Sequence, residues 1–233
     1  ALGHPNSRVI LQNGSDRDVL KALGAINDSQ TIMIRGSGVD LDAYAETPEP
    51  APPVVAMMVA RLLRDKGVQE FIEAARLLKQ ANVPVTMRLV SSVDPGNPAS
   101  MGQAEIDQAH REGLVEALGE RKDIAALYAS THIAVLPSYR EGLPKSLIEA
   151  AACGRAVVTT DVPGCRDAIV PDKTGLLVPS HDAAALAKAI ERLVLDPALR
   201  QRMGQEGRRW AEREFRVQDV CARHLAIYAD LLA

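Results

Sequence analysis

The chain has 233 residues, 47% of them hydrophobic and 3% aromatic, with a formal charge of -3. That length suffices for one large or two small globular domains. A charge so close to balance gives no global attraction to nucleic acid or anionic lipid, and no apolar run approaches the ~20 residues that span a bilayer.

Taken in chain order, residues 1–43 hold two short apolar runs, 8–12 and 31–34, around a helix expected over 15–23 with Ser15 as its N-cap. Gly36-Ser37-Gly38, then Thr47-Pro48-Glu49-Pro50 and Pro52-Pro53, read as linker. Two strands and one helix make a poor core alone. This zone is therefore expected to be the tail of another domain plus a hinge, with a second domain over 44–233. From Val54 onward, apolar strands at 54–59, 85–90, 132–136, 156–159 and 175–178 alternate with helices at 67–80, 103–110, 123–129, 144–152 and 182–195. Continuous apolar strands separated by helices imply a parallel sheet covered on both faces. Right-handed crossovers then make it a Rossmann-like, doubly wound α/β domain. Two helices without a strand between them, 197–214 and 217–232, close the chain as an appended pair.

In such sheets ligands bind outside the carboxyl ends of the strands, so the loops following strands carry the chemistry. After the strand 54–59 come Arg61 and Lys66, just before the helix that starts near Gly67. Two cations and a helix N-terminus converging on one crevice suit a phosphate or diphosphate; from these residues alone, two solvated surface charges are an equal reading. After the strand ending at Leu136, a turn carries Glu141 and Gly142, and a helix begins near Pro144, where the absent N–H is not missed. Gly142 allows close backbone approach, and the free amides of Leu143, Lys145 and Ser146 form a second anion site facing the first. Glu149 lies eight residues after Glu141, one turn into the helix. Two acids so placed suit hydroxyl recognition at two points of a ligand better than a coupled acid/base pair. A carboxylate at Glu149, between Ile148 and an Ala-rich turn, needs partners. The cysteines, Cys153, Cys165 and Cys221, have no metal-ligand spacing and read as small buried thiols of a reducing cytoplasm.

These segments resemble a known family. The stretch "SYREGLPKSLIEAAACG" with "AVVTTDVPGCRDAI" and "TGLLVP", preceded by "VARLLRDKGVQEFIEAARLL", is similar to the donor-site signature of retaining GT-B glycosyltransferases, family 4. The likeness runs from about Ile34 to the end. It implies the C-terminal half of a GT-B fold. Arg61 and Lys66 would hold the donor diphosphate and, with Glu141, make up the catalytic set; Glu141 would touch the donor sugar in a pocket lined by Gly142, Leu143 and Pro144; Glu149 would bind the ribose hydroxyls. Ser91, in a loop where relatives have a Gly-rich turn, and Asp123, near the family's base-binding backbone, are further donor-binding candidates. The stretch Asp94-Pro95-Gly96-Asn97-Pro98 is similar to one in relatives that build bacterial surface glycans on a lipid carrier.

The resemblance implies a nucleotide-sugar donor, with UDP the leading expectation, no metal cofactor, and a polysaccharide, lipopolysaccharide or lipid-linked acceptor. No nucleic-acid partner is expected. The family's acceptor half has no counterpart beyond the first residues, so the chain is expected to be a cytoplasmic fragment, inactive alone, of an enzyme attached peripherally to the membrane through its other half. Two other readings stand: a GT-B-shaped UDP-sugar 2-epimerase-like isomerase, which lacks such a Glu-x7-Glu helix, and a non-catalytic nucleotide-sugar-binding module.

Overall fold

A computed structural model describes residues 2, 4, 6–92, 94 and 96–232. Val9–Leu11 (β1), Gly14–Ala22 (α1) and Thr31–Met33 (β2) form a small first unit in which β1 and β2 pair in parallel. The chain then crosses into a larger unit. This unit contains Val54–Val59 (β3), Val68–Gln80 (α2), Val85–Val90 (β4), Gln103–Arg111 (α3), Glu116–Gly119 (β5), Ile124–Ala129 (α4), Ile133–Leu136 (β6), Lys145–Ala152 (α5), Ala156–Thr160 (β7) and Gly175–Val178 (β8). Helices Ala183–Leu195 (α6), Pro197–Glu214 (α7) and Val217–Leu232 (α8) end it.

The six strands β3 to β8 form one sheet in the order β5-β4-β3-β6-β7-β8, every pair parallel. The Rossmann-like α/β expectation holds. All four residues of β6 and all five of β7 are buried, as a strand covered on both faces requires. Helix α2 packs against α6 and α5 against α7. Strand order reverses between β3 and β6, which opens a crevice at their carboxyl ends.

Three local expectations are corrected. The cap of α1 is Asn13, not Ser15: Asn13 leaves β1 in extended conformation (φ -143, ψ 161) and its side chain accepts from Asp16 N, so Ser15 falls inside the first turn. Strand β5 is an addition. At the sheet edge its four residues are exposed or half-buried, so no continuous apolar run announces it. Cys221 is exposed, although Cys153 and Cys165 are buried as expected.

Buried polar groups fasten the segment that joins the two units. Arg155, fully buried, donates from Nη2 to the Thr47 carbonyl at 2.9 Å. Arg200 grips both carboxylate oxygens of Glu49 at 2.9 Å. His132 Nδ1 accepts from Val55 N, so Nε2 carries the proton toward the Pro50 carbonyl at 3.1 Å; burial pushes this imidazole below its ordinary range, which keeps it neutral. At the other end of the chain, α8 leaves the larger unit and packs on the first: Val220 and Ile227 meet Ile34, with Ile10, Ile32 and Leu231 around them.

Candidate functional site

The loops after β3 and β6 are stitched together before any ligand is considered. Tyr139 N donates to the Asp65 carbonyl at 2.8 Å and Ser138 Oγ to the same oxygen at 3.0 Å. Gly67 lies between them with φ +73, and a Cβ there would stand 2.1 Å from the Pro137 carbonyl oxygen. Only glycine fits so close an approach in the left-handed region. The result is that Lys66 Nζ sits 2.7 Å from Glu141 Oε1, each side chain 15% exposed. The acid is thus held at the cation before substrate arrives.

Around this pair lies a cavity of about 450 Å³. Arg61, Lys66, Ser91, Glu141, Pro144 and Glu149 all line it, so the structure gathers six of the nine sequence-selected residues in one crevice. The other three lie elsewhere. Gly142 and Leu143 turn away: the Leu143 side chain packs against Gly36, and Gly142 abuts Gln12. Asp123 is exposed and holds Arg121 through paired contacts of 2.8 and 2.6 Å; Arg121, not Asp123, lines the cavity, with Glu120 and Ile124. A short acid after a strand is naturally used to fix its longer neighbour, and the spacing alone does not say which of the two faces the ligand. Arg61 is the most open of the set, its side chain 61% exposed and 3.5 Å from Asp94. Of the Asp-Pro-x-Asn-Pro stretch, Pro95 lies outside the described residues.

Pro144 precedes helix α5 with no side-chain cap, so the amides of Lys145 and Ser146 are orphan donors at the cavity wall, which both residues line. One turn in, Glu149 is 7% exposed. Burial raises its carboxyl above the usual carboxylate value; the neighbouring Tyr44 hydroxyl and the charge of Lys145, whose Nζ is 3.5 Å from Oε1, oppose that rise. Tyr44 arrives from the segment joining the units, and nothing in its sequence context signalled it. Burial pushes the Cys153 and Cys165 thiols up to about 11, so neither offers a thiolate at neutral pH. Two cations, an uncapped helix N-terminus and two separated acids in one crevice can bind a diphosphate and hydroxyl groups on either side of it.

Residues 43–210 match the family described as "Glycosyl transferases group 1". The chain is 31% identical over 233 residues to the N,N'-diacetylbacillosaminyl-diphospho-undecaprenol alpha-1,3-N-acetylgalactosaminyltransferase of Campylobacter jejuni, covering 94% of this chain and 59% of that protein. Capsular polysaccharide biosynthesis glycosyltransferase CapM of Staphylococcus aureus is 29% identical over 75% of this chain and 45% of its own. Among solved structures, sucrose-phosphate synthase of Thermosynechococcus elongatus superposes with a TM-score of 0.84 at 28% identity, over 96% of this chain and 58% of that one. Anabaena HepE in complex with UDP and glucose shares the fold, with a TM-score of 0.80 at 21% identity, over 96% of this chain and 63% of its own. The chain therefore spans little more than half the length of several of these relatives, and it belongs to the group 1 glycosyltransferases, with the Rossmann-like architecture of their GT-B fold.

Proposed function

We propose that residues 44–233 are the donor-binding half of an enzyme that transfers a sugar, with retention of anomeric configuration, from a UDP-sugar to a polysaccharide, lipopolysaccharide or lipid-linked glycan. Residues 1–43 then belong to the acceptor-side half and its hinge. One observation carries the reading most: Lys66 and Glu141 meet across two stitched loops, in the same crevice as Glu149 and the α5 N-terminus. The Campylobacter relative's name specifies transfer to a diphospho-undecaprenol carrier, and the Anabaena structure holds UDP and glucose.

The chemistry follows from the charges. Glycosyl transfer leaves a nucleoside diphosphate, whose developing charge Arg61, Lys66 and the first-turn amides of α5 would stabilise in place. With two cations and a helix N-terminus available, the reaction is expected to proceed without a metal. When the diphosphate takes Lys66, Glu141 is released from its ion pair to accept hydroxyl hydrogen bonds of the sugar. Glu149 accepts those of the ribose, the device other Rossmann-like sites use. Glu120, Arg121 and Ile124 form the wall left for the base. Substitution takes place on the front face, without a covalent intermediate on the protein. Membrane attachment of the whole enzyme is assigned to the acceptor half; among the described residues no helix is long and apolar enough to cross a bilayer.

Calorimetric titration with UDP, UDP-sugars and GDP-sugars tests the site. UDP and at least one UDP-sugar are expected to bind, with Arg61→Ala and Glu149→Ala each weakening the interaction. Absence of any binding that these variants weaken refutes the assignment. Activity of the whole enzyme in excess chelator tests the metal-free reading.

A further inference from the structure

The loop that carries Glu141 is held from both sides, and one of the two holders belongs to the other structural unit. On one side Gly164 (φ +79) lies so close that a Cβ there would stand 2.3 Å from the Glu141 carbonyl oxygen and 2.6 Å from that of Gly142. On the other side stands the turn between β1 and α1. Asn13 Nδ2 donates to the Gly142 carbonyl at 2.9 Å, across 129 residues of sequence. A Cβ on Gly142 would stand 2.7 Å from Gln12 Oε1, and Arg140 Nη2 faces Asp16 Oδ1 at 3.5 Å.

Asn13 is only 2% exposed, and it uses both ends of its amide. Oδ1 accepts from Asp16 N at 2.8 Å, which caps α1. Nδ2 contacts Asp16 Oδ2 at 2.9 Å and the Gly142 carbonyl at the same distance. A cap alone needs an acceptor only, and serine or aspartate supplies that as well as asparagine does. The donor end is the part that a helix cap does not explain. Without it this half-buried carbonyl loses its one protein partner among the described residues, and the loop loses the tie that holds it.

We propose that Asn13 is a positioning residue for the donor sugar, acting through the Gly142 carbonyl. It fixes the peptide that follows Glu141, so that the Glu141 carboxylate stays over Lys66 at the sugar end of the cavity. The sugar end of the donor site is then completed by the first unit, while the diphosphate end is not, and the ribose end is approached by Tyr44 of the joining segment. This inference rests on reading the Glu141 loop as the donor-sugar pocket.

Asn13→Ser separates the two ends of the amide: it keeps the α1 cap and is too short to reach Gly142. In the chain of residues 1–233, hydrogen–deuterium exchange and binding of UDP, UDP-glucose, UDP-N-acetylglucosamine and UDP-N-acetylgalactosamine are compared with the parent. The expected result is faster amide exchange confined to residues 141–143. UDP affinity should be unchanged, and affinity for the preferred UDP-sugar should fall about fivefold, the loss of one hydrogen bond. Exchange at 141–143 unchanged in Asn13→Ser overturns the proposal, as does an equal loss for UDP and every UDP-sugar. Should the parent chain bind none of the four nucleotides, the donor reading fails and the sugar role with it. A parent that binds, with a variant that does not discriminate, removes the Asn13 inference alone.

Discussion

Replacing Glu149 by Gln keeps the shape of the side chain and removes its charge, and the structure assigns opposite signs to the two consequences. Glu149 is 7% exposed, and its nearest cation, Lys145 Nζ, is 3.5 Å from Oε1. Burial raises the carboxyl above its ordinary value despite Tyr44 and Lys145, so ionising it costs more in the folded chain than in the unfolded one. A folded-state value above the unfolded one contributes stability that is full below the unfolded value and is lost as pH rises through the folded one. The Gln variant has no such loss. Its stability advantage should be absent in acid and reach about 1 kcal/mol at pH 8, the scale of an incompletely partnered buried group. That corresponds to a melting temperature higher by roughly 3 °C in a chain of this size. Binding moves the other way. Two ribose hydroxyls donating to a neutral amide instead of a carboxylate lose about 2 kcal/mol together, or about thirtyfold in Kd for UDP. The parent's UDP affinity should weaken as pH falls through the raised carboxyl value, whereas that of Glu149→Gln stays flat. Calorimetric titration with UDP and thermal melts, both from pH 5 to 8, read the two effects. A variant less stable than the parent at pH 8, or one binding UDP as tightly, would refute the reasoning.

Gly164→Ala places a methyl group in a left-handed backbone position against the Glu141 carbonyl, so it should lower stability by about 2 kcal/mol or more and weaken UDP-sugar binding, as melts and titrations would record. Arg61→Ala, by contrast, should leave stability within ~0.5 kcal/mol, because its pair with Asp94 is solvent-exposed, while UDP affinity falls about tenfold. Phe215→Ala empties a fully buried position and should cost about 3–5 kcal/mol in denaturant titrations. Trp210, the only tryptophan, meets the Phe215 ring edge-on at 6.0 Å, so its emission should report that change directly.

Most of the architecture was legible because central parallel strands are unmistakable in sequence. Val54–Val59 was bounded correctly to the residue, since continuous burial demands a continuous apolar run. Val85–Val90 was bounded as well, although Thr86 and Arg88 interrupt its apolar residues and its first half is only half-buried. The edge strand Glu116–Gly119 escaped for the converse reason: exposed on one side, it can afford Glu116 and ends at a glycine. The site followed the same logic. Arg61, Lys66, Glu141 and Glu149 stand at strand ends and a helix start, where chain direction alone brings them together. Which neighbour in a loop faces inward is a matter of side-chain direction, and so Arg121 replaced Asp123 on the wall, while Leu143 went to Gly36. Asn13 and Tyr44 were invisible for a different reason. Each acts across a distance in sequence that no local pattern encodes.

Helix α8 follows the larger unit in sequence and yet buries Val220 and Ile227 against Ile34 of the first. The strand-like link at Val39, whose N–H donates to the Phe215 carbonyl at 2.7 Å and whose carbonyl accepts from Val217 N at 3.1 Å, marks where the chain passes over twice. Two covalent crossings lie side by side there, as in a strap hinge with both leaves pinned at one edge. Any swing of one unit against the other must turn about that line, and twisting across it is resisted. It also sets the rule for dissection: a cut near residue 43 alone strips α8 of its cover, so an independent Rossmann-like unit has to lose both ends of the chain together.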